Sequence, residues 1–283
     1  DLLSVILGVT RVLGDGGFVL LTGVLAFTSI VSPRDAPSRR AVRLAALGIA
    51  LLVAATVAGV AARLVLDDLP VDQVLSPDQG AALLIRLAAL AAAGFFLVDL
   101  AARPVLGWRR VVAWLAVVVI AVSISAESAV SISAESAVSI SAESAVSISA
   151  ESEGTDLVDL AVTGLHVLAT GVWLGILVVL VAMGSRRWDA DLAPDLREML
   201  PRCNRLTLVA IVTLVLSGIG STFLLPDLTT GAIGLLVIKS ALLVGVLLAR
   251  RRALTAEPHV AVRVELGLAV AALVATSVLV AIT

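Results

Sequence analysis

Six residues between positions 156 and 173 have the types and the spacing to handle a cation. Asp156, Asp159, Thr163, His166, Thr170 and Trp173 follow one another at alternating steps of three and four. At 3.6 residues per turn such a series falls on one stripe of a helix, roughly 100° wide. The stripe opens with two carboxylates and reaches an imidazole about 15 Å further along, at about 1.5 Å per residue. Carboxylates raise the local concentration of a cation, and an imidazole nitrogen can bind and release it. Asp156, Asp159 and His166 are therefore the candidate metal-handling residues. Thr163, Thr170 and Trp173 are expected to line the path, with Trp173 walling it toward the inside. The same pattern also fits a polar face turned inward for packing, with both aspartates favouring the helix N-terminus.

The elements that would position this stripe are membrane helices. Of the 283 residues, 60% are hydrophobic and 15% charged, and the mean hydropathy is +1.11. Soluble domains are closer to 45–50% apolar and about 25% charged, so composition places the chain in a bilayer. Segments of roughly 20 apolar residues can span one. Eight qualify, at 5–31, 41–65, 80–102, 107–124, 156–183, 203–225, 231–249 and 261–282. The first is interrupted by Arg11 and Asp15. The expected fold is all-α, a polytopic bundle of about eight transmembrane helices.

Basic residues fix the expected orientation. Arg34, Arg39, Arg40 and Arg43 follow the first segment, and Arg103, Arg109 and Arg110 the third. Arg186, Arg187, Arg197, Arg202 and Arg205 follow the fifth, and Arg250, Arg251, Arg252 and Arg263 the seventh. The intervening connections carry Asp67, Asp68, Asp72, Asp78, Asp227 and several glutamates, with no Lys or Arg. The positive-inside rule then puts both termini outside. The start at Asp1 and the stop at Thr283, straight after an apolar run, lead us to expect a trimmed sequence.

An array of four identical octapeptides, AVSISAES, occupies 121–152 in the third outer connection. Half of each copy is serine or glutamate, which excludes a lipid-facing span, and perfect identity points to recent tandem duplication. We read it as a polar spacer, its first copy extending the fourth helix, between an N-terminal four-helix half (1–122) and a C-terminal four-helix domain (155–283).

Other ionisable groups at membrane depth need partners. Lys239 and Arg86 are expected to form structural ion pairs, with Asp15 and Asp159 the available acids. Asp99 and Glu265 lie near the inner interface beside Arg103 and Arg263, where snorkelling pairs would account for them. Soft ligands are few. Met183 and Cys203 are weak inner-side candidates, and Pro201 between Met199 and Cys203 suggests that the sixth helix only starts there. His166 in the outer half and His259 on the inner side cannot flank one macrocycle, so no haem is expected. Nucleophilic triads and glycine-rich phosphate loops are absent from the sequence. Close helix packing is expected at Gly218, Gly220, Ser221, Gly231 and Gly234.

Three stretches of the second half, LHVLATGVWLGILVVL (165–180), RCNRLTLVAIVTLVLSGIG (202–220) and TTGAIGLLVIKS (229–240), resemble the CopD copper-resistance family of inner-membrane proteins. The family pattern of a His followed seven residues on by Trp-x-Gly is matched by His166, Trp173 and Gly175. Arg202, Arg205, Gly218 and Lys239 match further positions, and RVELGLAVAALVATSVLV (263–280) is similar to the family's last helix, Glu265 included. The first four segments resemble it only loosely, through Gly80, Arg86 and the eight-helix layout. Cys203 and Asn204 stand where Phe-Ser is usual, Ile233-Gly234 where Gly-Arg is expected, and a second His ahead of the fifth helix is missing. The resemblance implies a non-enzymatic protein of the cytoplasmic membrane. It implies movement of copper ions across or into the bilayer, beside a periplasmic copper-binding partner and with no nucleic-acid partner. A membrane scaffold, or a proton-coupled carrier using Asp159 and His166, are the alternative readings.

Overall fold

The computed structural model describes residues 2–31, 39–66, 77–102, 111–124, 153–184, 193–224 and 264–268, with the single positions 241, 244, 245 and 248. All of them are helical. Helix α1 (Leu2–Ala26) runs into a π-helical turn, Phe27–Val31, and is followed by α2 (Arg39–Leu66) and α3 (Pro77–Ala102). A shorter α4 (Val111–Ile124) precedes α5 (Glu153–Gly184) and α6 (Ala193–Leu224). Such a composition suits lipid, where every backbone polar group must be satisfied within its own segment. Among the described residues, four stretches are long and apolar enough to cross: Gly8–Val31, Arg39–Ala62, Leu160–Ala182 and Pro201–Gly220. Shorter apolar runs, Leu83–Phe95 and Val111–Ile124, lie in α3 and α4. The chain is thus an all-α, multi-pass membrane bundle. Of the two segments expected at 231–249 and 261–282, the structure describes four positions and five residues, all helical, and Lys239 lies outside the described residues.

Helix α1 is the centre of the packing, touching α2 on one side and α5 on another, while α6 packs on α5 and α3 on α2. Glycines set both α1 crossings. A Cβ on Gly17 would stand 2.6 Å from the Gly48 carbonyl oxygen, and one on Gly48 would stand 2.7 Å from that of Gly17. Between α1 and α5 the backbones of Gly23 and Gly175 lie directly on each other, and Phe18 covers Gly171 one turn away. Close backbone approach of this kind is how membrane helices associate without a hydrophobic driving force. The expected small-residue sites behave differently. A Cβ on Gly218 or Gly220 would meet side chains only at 3.9 and 3.6 Å, which is ordinary contact. Ser221, Gly231 and Gly234 lie outside the residues whose side chains are described.

Two arginines tie the ends of neighbouring helices together. Arg40 Nη1, at the start of α2, donates to the Ala182 carbonyl near the end of α5 (3.4 Å), and Arg202 Nη1 donates to the Val31 carbonyl at the end of α1 (3.2 Å). The last carbonyls of a helix have no partner within it, so a guanidinium there is favourable. These bonds gather the end of the π-helical turn after α1, the end of α5, the start of α2 and the Arg202 turn of α6 on one side of the bundle, the side where the sequence concentrates arginine. If that side faces the cytoplasm, a Ser141→Cys variant carrying Cys203→Ser should react with an impermeant thiol reagent added outside, and Ser185→Cys should not. Reversed labelling would invert the topology.

At this same side Thr28 and Ser29 bond back to the Val24 and Leu25 carbonyls (2.8 and 2.5 Å), and Trp114 Nε1 reaches Ser29 Oγ (3.2 Å), joining α4 to the π-helical turn. Toward the opposite side, buried Arg86 on α3 donates from Nε to Ser123 Oγ (3.1 Å), whose own hydroxyl donates to the Ile120 carbonyl (2.9 Å). Half-buried Asp15 lies within electrostatic reach of Arg11, one turn earlier, and of Arg86, the partner expected for it.

Ser123 belongs to the first octapeptide, so the opening residues of the array complete α4, and the rest lies outside the described residues. Because the copies are identical, removing any three leaves the same sequence, with Ser123 still opposite Arg86. Deletion of 129–152 is therefore expected to leave folded yield unchanged by size-exclusion chromatography. A chain that aggregates on that deletion would give the array a structural role. Ser123→Ala, by contrast, removes a buried charge-assisted bond and should destabilise by about 1.5–3 kcal/mol.

The start of α6 corrects the sequence reading. The helix begins at Ala193, ten residues before the expected 203, and Pro201 lies inside it. Pro194 at the first helical turn, with Asp195 and Glu198 after it, is a favourable start that outweighs one interior proline. Met199 and Cys203 consequently share a face of α6, one turn apart.

Candidate functional site

Helix α5 starts at Glu153, so Asp156 and Asp159 lie in its first two turns, where the helix dipole favours negative charge. Their side chains lie outside the described residues. Thr163 is half-buried. One turn further His166 reaches α6, its Nδ1 standing 2.9 Å from Ser217 Oγ. Ser217 Oγ also lies 2.8 Å from the Thr213 carbonyl and 3.2 Å from that of Leu214. The contact ties one ring nitrogen to α6 and fixes the plane of the imidazole, as a bond to the second ring nitrogen does for histidines that ligate metals. Gly218 beside it leaves room for the ring, since even a Cβ there would stay 3.9 Å from His166 Cε1.

Thr170 Oγ1 donates to the His166 carbonyl (2.9 Å), a bond within α5 that holds its hydroxyl against the backbone. Trp173 is buried, and its Nε1 donates to Glu265 Oε1 (3.1 Å). Glu265 is only 5% exposed, so its carboxylate turns into the bundle with the indole as a donor; Arg263, expected beside it, lies outside the described residues. The stripe thus faces α6 at His166 and the 264–268 helix at Trp173, while Gly171 and Gly175 give α5 its separate contact with α1.

The inner candidates are not part of this arrangement. Cys203 is buried on α6, Thr207 Oγ1 donates to its carbonyl (2.8 Å), and Met199 packs on the same core. Ser217, the neighbour of His166, lies fourteen residues further along α6, about 21 Å away along its axis. Met183 is in the last turn of α5 with its side chain outside the described residues, and His259 lies outside them altogether. Among the described residues no group of three or more His, Cys, Asp or Glu side chains converges on one point.

Two participants escaped the sequence reading. Ser217 is one polar residue in an apolar run, LVLSGIG, and its register opposite His166 depends on how two helices cross. Glu265 was visible as an ionisable residue, but its burial depends on the approach of α5. No protein-family model, no curated protein and no solved structure matches the chain.

Proposed function

We propose that this chain handles copper at the cytoplasmic membrane, moving copper ions across or into the bilayer. Asp156 and Asp159 draw the cation to the outer end of α5, and His166 binds it within the membrane. One observation carries this reading: the 2.9 Å contact of His166 Nδ1 with Ser217 Oγ, which holds the imidazole of the stripe in place between α5 and α6. The resemblance of 155–283 to the CopD family supports copper as the cation and a periplasmic copper-binding protein as the source. Lys239, Arg86 and Asp15 serve as charge partners that hold the bundle.

The same bond favours a second reading. A histidine paired with a serine is satisfied without any ion, as it would be in a scaffold whose polar groups only join helices. Copper uptake by the purified protein in liposomes separates the two. Uptake above protein-free liposomes is the result expected of a transporter, and equal rates would leave the scaffold.

A further inference from the structure

Where α4 meets the π-helical turn, the bundle surface is hollowed rather than filled. Val111, Trp114, Leu115 and Val118 recur at helical spacing and so share one face of α4. With Ser29 and Ile30 they bound a groove of about 350 Å³. Val111, Leu115, Val118 and Ile30 are exposed, so the groove opens away from the bundle rather than into it. It follows α4 for seven residues, about 10 Å, from the arginine side toward the opposite one. Trp114 turns its Nε1 to Ser29 Oγ (3.2 Å), so the wall presents hydrocarbon rather than an unpaired donor. In a bilayer such a slot faces acyl chains. Apolar surface alone does not choose among lipids, because their tails are as apolar as leucine.

The selecting group stands at the end of the groove. The π-helical turn that supplies Ser29 and Ile30 ends at Val31, and Arg202 Nη1 holds the Val31 carbonyl (3.2 Å). Arg202 is exposed. A guanidinium is a planar fork of N–H donors and never an acceptor. The Val31 bond takes one of those donors, and among the described residues Arg202 makes no other. The fold thus anchors the charge beside the groove and leaves most of the fork to an outside acceptor. A phosphate suits it, since arginine takes phosphate oxygens two at a time.

We propose that the groove and Arg202 together form a site for an anionic phospholipid, with one acyl chain along α4 and the phosphate on the guanidinium. Basic pockets between membrane helices are where anionic head groups are recognised. A lipid seated there would touch α4, the end of the π-helical turn and α6 at once, and so would fasten three elements at the arginine side. The site is separate from the α5 stripe, and its occupancy does not depend on which ion the chain handles.

Trp114 reports occupancy, because bromine atoms on an acyl chain quench an adjacent indole. The purified full-length chain is placed in phosphatidylcholine vesicles containing increasing brominated phosphatidylglycerol or, in parallel, brominated phosphatidylcholine. The Trp114 component is the difference between wild type and Trp114→Phe. We expect phosphatidylglycerol to be preferred at Trp114 by about fivefold, the worth of one arginine near a membrane surface. Arg202→Gln, which keeps a donor for the Val31 carbonyl, should bring the two lipids level. Arg40→Gln removes another exposed arginine of the same side, one bonded to the end of α5, and should keep the preference. Equal quenching by both lipids in wild type, or a preference that survives Arg202→Gln, overturns the proposal. Equal losses in the Arg202 and Arg40 variants would assign the preference to general surface charge and overturn it too. Should Arg202→Gln not be recovered folded, Val118→Phe fills the groove from an exposed position. The preference should vanish there as well, and an unchanged one overturns the proposal.

Discussion

His166→Ala is expected to reduce copper uptake into liposomes by about 100-fold or more, because groups that merely orient a ligand are worth roughly 10- to 100-fold. His166 is the only imidazole on the α5 stripe, and no other side chain of the stripe supplies a nitrogen ligand. Ser217→Ala tests the orienting bond separately. It keeps the imidazole but removes the Oγ that holds Nδ1, so uptake should fall about tenfold with the bundle intact. His259→Ala should leave uptake near wild type. Asp159→Asn should behave in a third way, weakening apparent affinity while sparing the maximal rate, since a carboxylate at the mouth of the path concentrates the cation without binding it during passage. That affinity effect should shrink as salt is raised, because attraction of an ion from solution is screened over about 8–10 Å at ordinary ionic strength. Normal uptake by His166→Ala would make the stripe structural.

These expectations draw on sequence and structure in different proportions. The stripe itself was legible, because its spacing is a property of one helix, and α5 presents His166 and Trp173 to neighbouring helices as the periodicity required. The membrane class and the clustering of arginine at one side were legible too, since composition and charge need no tertiary information. What could not be read were facts about pairs of helices. Gly17, Gly23 and Gly48 stood in the sequence as ordinary small residues, and only the crossings of α1 give them a reason. Glu265 stood in the sequence as an ionisable residue beside Arg263, and only the approach of α5 shows that Trp173 donates to it. Pro201 misled in the opposite direction, because a local breaker was overruled by the favourable start at Ala193.

The crossing of α1 and α5 leads to the second large effect. Gly175→Val is expected to abolish assembly of the bundle, and Gly23→Val to do the same. Overpacking a core by a few methyl groups typically destabilises by about 1–3 kcal/mol, since neighbouring side chains can turn aside. Here the neighbour is backbone on both sides, and a helix backbone has no rotamer to change. The added atoms can be accommodated only if the helices separate, which also breaks the Phe18–Gly171 contact and moves the C-terminal end of α1 away from Arg202. Losses above about 3 kcal/mol are expected, enough to unfold a marginally stable chain. Fluorescence-detected size-exclusion chromatography after heating would read this directly. The same assay contains its own control, because a Cβ on Gly59, in the middle of α2, meets nothing within 4 Å. Gly59→Ala should leave the melting point unchanged or raise it, as alanine is favoured over glycine in a helix by about 1 kcal/mol. If Gly175→Val melted like wild type, the backbones of α1 and α5 would not be in contact. His166 would then lose the fixed helix that aims it at Ser217, and the α5 path would lose its frame.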